Sequence, residues 1–320
     1  MNADRRGRSR AGWLRIVAIV AIVSLLGLCN LPSVARERGE EIPGTGILWQ
    51  PQLSPKGPVV VVVSLADQRA DVYRNGIRIG TAPVSTGRPG YETPPGIYTI
   101  LEKQREHFSN LYDDAPMPWM QRLTWDGIAL HAGVVPGRPA SHGCIRLPSS
   151  FAEALFEVTS RASTVVVTGA SQAPSLLAPV PLAEDGALAA GAPAPSWRPE
   201  TVPGGPISLL LDTSSRLLVV LRDGVEIGRL PVDLDGPAFP PGTTAYVLLD
   251  GTLPSPSTFA PGRPARPWMS IPLGDASGNP TTRAAPKGRV RIAPEFAVAL
   301  YDLLTPGTVL VVSDEPLQLH

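Results

Sequence analysis

Nucleophilic and proton-transferring side chains gather over a short span of this 320-residue chain: His131 in ALHAG, then Ser141, His142 and Cys144 in ASHGCIRLP. Three chemistries fit that pattern. His131, His142 and Cys144 could supply three ligands to a zinc ion, with water as the fourth. The spacing is not a common ligand spacing, however, and the loop between the two histidines brings no further Cys, Asp or Glu. The cysteine could instead be an inert core residue, the ordinary fate of a lone thiol. Its Ser-His-Gly flank is polar and turn-like, which describes a core position poorly. The third chemistry is nucleophilic. A thiol held in a turn is surrounded by backbone N–H groups, and a histidine within reach lowers its pKa and holds a thiolate–imidazolium pair. The N–H groups of His142, Gly143 and Cys144 could then stabilise an oxyanion during acyl transfer. Spacing alone does not assign which histidine is the base.

The start of the chain bears on the thiol as well. Arg5, Arg6, Arg8, Arg10 and Arg15 precede an apolar run from Ile16 to Leu28, and Ser33-Val34-Ala35 supplies small residues after it. Residues 1–35 are expected to be a secretory signal. The alternative is an uncleaved membrane anchor, for which the run is short. Cys29 follows the bulky Leu28, a poor lipidation site, and the Arg5-Arg6 pair hints at twin-arginine export. The protein is therefore expected in the periplasm or cell envelope. Cleavage after Ala35 leaves Cys144 as the single remaining cysteine of the two in the chain. An unpaired thiol in an oxidising compartment is a liability unless it is used.

The composition excludes some partners and suggests an architecture. Formal net charge is zero, so no basic balance points to nucleic acid and no acidic tail is present. With 37 Pro, 31 Gly and only 18% charged residues, the chain suits many short strands joined by tight turns.

Those strands fall into two segments with the same order of blocks. GPVVVVVSLADQRADVYRNGIRIGTAPV (57–84) lies over GPISLLLDTSSRLLVVLRDGVEIGRLPV (205–232) without a gap. Asn75-Gly76 and Asp223-Gly224 sit at matching places between apolar runs, a strong hairpin signal. TPPGIYTIL matches FPPGTTAYVL, MPWM matches RPWM, and CIRLPSSFAEALFEV matches RVRIAPEFAVALYDL. Both segments end in a β-branched run. The expected organisation is a signal or anchor (1–35), a linker (36–56), a first domain (57–168), an Ala/Pro-rich linker (169–204) and a repeat of the first domain (205–315). In each domain one short helix packs on a β core. In the first, Ser150 and Glu153 are expected to form a capping box, with Phe151, Ala154, Leu155 and Val158 as the apolar face.

The repeat separates scaffold from chemistry. SHGC in the first domain is PKGR (286–289) in the second, so the glycine stays while Lys287 and Arg289 replace His142 and Cys144. No counterpart of His131 exists there. Gly143 then reads as a backbone requirement. Arg146 is matched by Arg291, so a structural role is expected first and substrate contact second. His131, Ser141, His142 and Cys144 are left as the chemistry.

These residues resemble the L,D-transpeptidases with the YkuD-type catalytic domain. The resemblance covers about 110 residues: the opening hairpin VVVVVSLADQRADVYRNG, the stretch PVSTGRPGYETPPGIYTIL, the strand ending in ALHAG, and ASHGCIRLP as the signature. Arg146 stands where the family often has Asn, although many members carry Arg. The resemblance implies a mainly β sandwich or barrel with short helices, here in two tandem copies, the second degenerate and non-catalytic. It implies Cys144 as nucleophile, His131 as general acid/base, His142 and Gly143 as the oxyanion-hole backbone, and Ser141 as the signature hydroxyl. The implied reaction is acyl transfer on peptidoglycan stem peptides without metal or organic cofactor, giving 3→3 cross-links in cell wall biogenesis. Water as acceptor would give an L,D-carboxypeptidase, and a lysine of an envelope protein would give an anchoring enzyme. A binding scaffold with a vestigial site is the reading from another class.

Overall fold

The structure, a computed structural model, describes residues 41–42, 46–109, 114–169, 174–176, 180–184, 193–235, 242–273 and 289–314. The expected signal region and the segment carrying Lys287 lie outside them.

The first segment opens with β1 (Glu41–Ile42) and β2 (Ile47–Trp49), then β3 (Val59–Ser64), β4 (Arg69–Arg74) and β5 (Ile77–Pro83). The β4–β5 turn is Asn75-Gly76, with φ of 48° and 77°, the left-handed pair that a two-residue hairpin demands. β6 (Gly96–Thr99), β7 (Glu102–Gln104), β8 (Met120–Arg122), β9 (Ala129–Ala132) and β10 (Ile145–Leu147) follow. Helix α1 (Ser149–Val158) and β11 (Thr164–Thr168) complete the segment. One sheet runs β1-β2-β5-β4-β3-β11-β6 and a second β10-β9-β8-β7.

The second segment comprises β12 (Leu182–Glu184), β13 (Ser196–Trp197), β14 (Ile207–Asp212), β15 (Leu217–Arg222), β16 (Val225–Pro231), β17 (Asp233–Asp235), β18 (Thr244–Leu248), β19 (Trp268–Pro272), β20 (Arg289–Ile292), α2 (Pro294–Leu303) and β21 (Val309–Ser313). Its main sheet runs β13-β16-β15-β14-β21-β18-β19, with β12-β20-β17 beside it. In both segments the last strand runs parallel to the first strand of the hairpin unit: β11 on β3, β21 on β14. Register shifts fall at Val72/Tyr73 in one and Val220/Leu221 in the other. Arg74 donates to the Pro51 and Ser54 carbonyls, and Arg222 to those of Pro199 and Val202.

The run VVVVV in β3 serves two cores. Val61 and Val63 face the core of the first segment, together with Phe151 and Leu155 of α1. Val60 and Val62, with Tyr73 and Val166, face outward and pack on Ala245, Val247, Leu249, Met269 and Ile271 of the second segment. Residues from Glu40 onward accordingly form one unit. Fully burying a valine is worth roughly 1.5–3 kcal/mol, so this shared layer is a substantial part of the fold's stability.

Three expectations need correction. The capping box does not form: α1 starts at Ser149, Pro148 is its N-cap, and no side chain caps it. β10 feeds directly into the helix through the fixed φ of Pro148, which places Ser150 inside the first turn. The helix buries Phe151, Ala152 and Leu155, while Ala154 is only half-buried. Finally, both expected linkers contain sheet elements. Ile47–Trp49 pairs with β5, Leu182–Glu184 with β20, and Ser196–Trp197 with β16.

Candidate active site

The small sheet carries the candidate residues. β9 and β10 run parallel, with Leu130 opposite Ile145, His131 opposite Arg146, and Ala132 opposite Leu147. Side chains alternate across a strand. Leu130, Ala132, Ile145 and Leu147 go into the core. His131 and Arg146 are therefore on the other face. Cys144, one residue before β10, shares that face and packs on Ala129, Met117 and Met120. The register thus brings His131, Arg146 and Cys144 together.

His131 is 7% exposed, and its Nδ1 lies 2.8 Å from the Ala132 carbonyl oxygen. A carbonyl can only accept, so Nδ1 carries the proton and Nε2 keeps its lone pair. Burial pushes the imidazole down to about 4, helped by the positive charges of Arg146 and His107 and opposed by the Ala132 carbonyl. The Cys144 thiol donates to the Gly127 carbonyl at 3.2 Å. Burial pushes this thiol above its ordinary value, while the Ala129 backbone, Arg146 and Arg122 pull it back. The expected thiolate–imidazolium pair is not the resting state. Both groups rest neutral, because desolvation penalises each charged form.

The turn before the thiol is pinned at every residue. Ser141 is buried, and its Oγ donates to the Cys144 carbonyl at 2.5 Å and accepts the Gly143 N–H at 3.1 Å. Its backbone N–H donates to the Thr86 carbonyl, and the Arg88 N–H donates to its carbonyl. Thr93 Oγ1 donates to the Gly143 carbonyl at 2.7 Å and accepts the Gly87 N–H at 2.9 Å. Gly143 has φ of 110°, and a Cβ there would lie 2.7 Å from Ile128 Cδ1. The glycine is thus required by its backbone conformation, since the end of the Ile128 side chain can shift to make room. The His142 ring stands edge-on to Tyr91 at 4.8 Å, with the Arg88 guanidinium on the same tyrosine.

Among the expected site residues, His131, Arg146 and Cys144 share one face, whereas Ser141 and Gly143 build the turn and His142 packs outward on Tyr91. Gly143 departs from its expected role as an oxyanion donor, since its N–H is already bound by Ser141 Oγ. Among the described residues no three His, Cys, Asp or Glu side chains gather as a metal cluster. Residues not singled out from the sequence also prove central: Thr93, Gly87, Thr86, Gly127 and Ala132. The first three belong to the stretch PVSTGRPGYETPPG, whose Ser/Thr/Gly content was the available signal. The other two act through backbone carbonyls, which no residue type announces.

Residues 58–167 match the family model of the L,D-transpeptidase catalytic domain, YkuD. Among solved structures, the chain is similar to an L,D-transpeptidase from Mycobacterium tuberculosis H37Rv, with 29% identity over 35% of this chain and 58% of that one, TM-score 0.34. It is similar also to an L,D-transpeptidase from Stackebrandtia nassauensis, with 32% identity over 36% of this chain and 57% of that one, TM-score 0.33. The chain thus spans under two thirds of the length of these structures. No curated protein matches it. The thiol, the histidine and the pinned turn all lie inside the span, residues 58–167, that is similar to the YkuD-type L,D-transpeptidase catalytic domain.

Proposed function

We propose that this is an exported, cysteine-dependent peptidoglycan L,D-transpeptidase that forms 3→3 cross-links in the cell envelope. One arrangement carries the reading: Cys144 and the proton-accepting Nε2 side of His131 share one face of the β9–β10 pair, within the matched domain.

The proposed chemistry starts from the neutral pair. As Cys144 Sγ attacks the carbonyl of the donor stem's diamino acid, its proton passes to His131 Nε2, so neither buried charge exists before substrate arrives. The Cys144 amide donates to no other group among the described residues, which leaves it as an oxyanion donor in place of Gly143. Collapse of the tetrahedral intermediate breaks the C–N bond, and the leaving D-Ala amine takes the proton from His131. The amine of a second stem then attacks the thioester and gives its proton to His131, and the thiolate leaves as thiol.

We read residues 205–315 as a non-catalytic repeat of the catalytic domain. The shared strand order, the matching register shifts and the matching Arg74 and Arg222 clamps support this. Its role on this reading is to cover the outer face of β3 and β11.

The test is incubation with tetrapeptide muropeptides and mass analysis of the products, with Cys144→Ala alongside. Loss of D-Ala with gain of a dimer, absent in the variant, is the expected result. D-Ala release that survives in Cys144→Ala refutes the mechanism. Release without dimer replaces the amine acceptor by water, and mass added to an envelope protein replaces it by a lysine.

A further inference from the structure

Among the described residues, Arg146 is a cation of the site face with no ion-pair partner. Among the described residues its guanidinium meets no hydrogen-bond acceptor, and Glu102, which lies in the same small sheet, is held by Arg122 at 2.8 Å. Its place in the second segment is taken by Arg291, which is ion-paired to Asp235. The ladders show why the two differ. Arg146 bridges Ser85 in one, and Arg291 pairs with Asp233 in the other, so Gly87 stands where Asp235 stands. A Cβ on Gly87 would lie 1.9 Å from the Tyr91 carbonyl oxygen and 2.6 Å from the Thr93 nitrogen. No carboxylate-bearing residue fits there. The loop closure that pins the thiol's turn has removed the counter-ion of the arginine.

The side chain is also held in place. Its stem runs over Gly133, where a Cβ would meet Arg146 Cγ and Cδ at 3.2 Å. It is half-buried, opposite His131, on the face that Cys144 shares. Arg146 follows Cys144 by two residues, about 7 Å along the strand. A half-buried guanidinium with no anion is an unfavourable arrangement in a resting protein. Its planar fork suits a carboxylate bound through two N–H groups.

We propose that Arg146 is a specificity-determining residue that binds the free carboxylate ending the donor stem, one residue beyond the bond that Cys144 attacks. The inference rests on the transpeptidase reading of the site. A tetrapeptide stem places a carboxylate about one residue length, roughly 3.5 Å, past the scissile carbonyl, within reach of a side chain as long as arginine. A stem extended by a further residue moves that charge away. The site would then favour tetrapeptide donors by charge recognition rather than by shape.

The experiment measures binding without chemistry. The full chain carrying Cys144→Ala is titrated calorimetrically with a tetrapeptide stem bearing a C-terminal carboxylate, and with the same peptide as a C-terminal carboxamide. The acid is expected to bind at least about tenfold more tightly, as for a charge-assisted pair. Adding Arg146→Gln is expected to abolish that preference while leaving affinity for the carboxamide within about twofold, a split that a merely structural role would not produce. Arg146→Lys, which keeps the charge but not the fork, is expected to retain part of it. Equal binding of acid and carboxamide to Cys144→Ala overturns the proposal, and needs no substitution at Arg146. So does an equal loss for both peptides in Arg146→Gln. Failure of the transpeptidase reading shows separately, as absence of Cys144-dependent D-Ala release by the unsubstituted protein.

Discussion

The neutral resting pair makes a quantitative demand on stability, because His131 is protonated more easily in the unfolded chain than in the fold. Unfolded, the imidazole titrates near its ordinary value of 6.5, whereas folded it is held down to about 4 by burial and by the charges of Arg146 and His107. Between those values the unfolded state binds a proton that the folded state refuses, so stability is complete above 6.5 and is lost as pH falls toward 4. The cost is about 1.4 kcal/mol per pH unit, or roughly 3 kcal/mol over the whole window. Urea denaturation of the unsubstituted protein and of His131→Gln, followed by tryptophan fluorescence at pH 7.0 and 4.5, measures it. Carboxylates that titrate over the same range are common to both proteins and cancel in the difference. The unsubstituted protein is expected to lose roughly 2–3 kcal/mol more than the variant on acidification. An identical loss in both would refute the argument that burial keeps His131 neutral. The thiol supplies an independent reading of the same state. Raised by burial, Cys144 is expected to react with iodoacetamide more slowly than a free thiol at pH 7 and faster with each unit of rising pH. A rate that is flat from pH 5 to 7 would instead reveal a preformed thiolate–imidazolium pair.

Two further outcomes follow from the packing. Thr93→Val removes the hydroxyl that donates to the Gly143 carbonyl and accepts the Gly87 N–H, leaving both buried groups unmet. It is expected to cost about 2–3 kcal/mol in thermal or urea unfolding and to lower D-Ala release with it, and unchanged stability would show that the turn is held by other bonds. Val247→Asp puts a carboxylate into the layer that packs on Val60 and Val62. It is expected to destabilise the whole unit by at least about 3 kcal/mol, and deleting residues 205–320 to leave an aggregating fragment by size-exclusion chromatography. A soluble, active fragment would mean that the outer face of β3 and β11 needs no cover.

Local chemistry made part of this molecule legible in the residues. Asn75-Gly76 and Asp223-Gly224 form tight turns because that pair tolerates positive φ where other residues do not. The apolar spacing of SSFAEALFEV gives a helix wherever its surroundings permit one, and TVVVT gives a strand for the same kind of reason. The extents of Ile47–Trp49, Leu182–Glu184 and Ser196–Trp197 were not legible. Strands of two or three residues are too short for any period, and exist only because a partner strand offers its free edge. The capping box failed for a related reason. Its residues are present in the right order, but Pro148 begins the helix before the serine can cap it.

The same division runs through the site. Residue types alone singled out His131, Ser141, His142 and Cys144, because few side chains attack carbonyls or move protons. Their working states belong to the fold. The parallel register of β9 and β10 sets His131 and Cys144 on one face. Burial, a property of many distant residues at once, then holds both groups neutral. Gly143 illustrates the limit most directly. Its sequence position suggests a free amide beside the nucleophile, yet Ser141 Oγ occupies that amide. Arg146 and Arg291 make the same point from the other side, being one residue type at matching places. The lack of room for a Cβ at Gly87, beside the Tyr91 carbonyl, decides that Arg291 has a carboxylate partner and Arg146 does not.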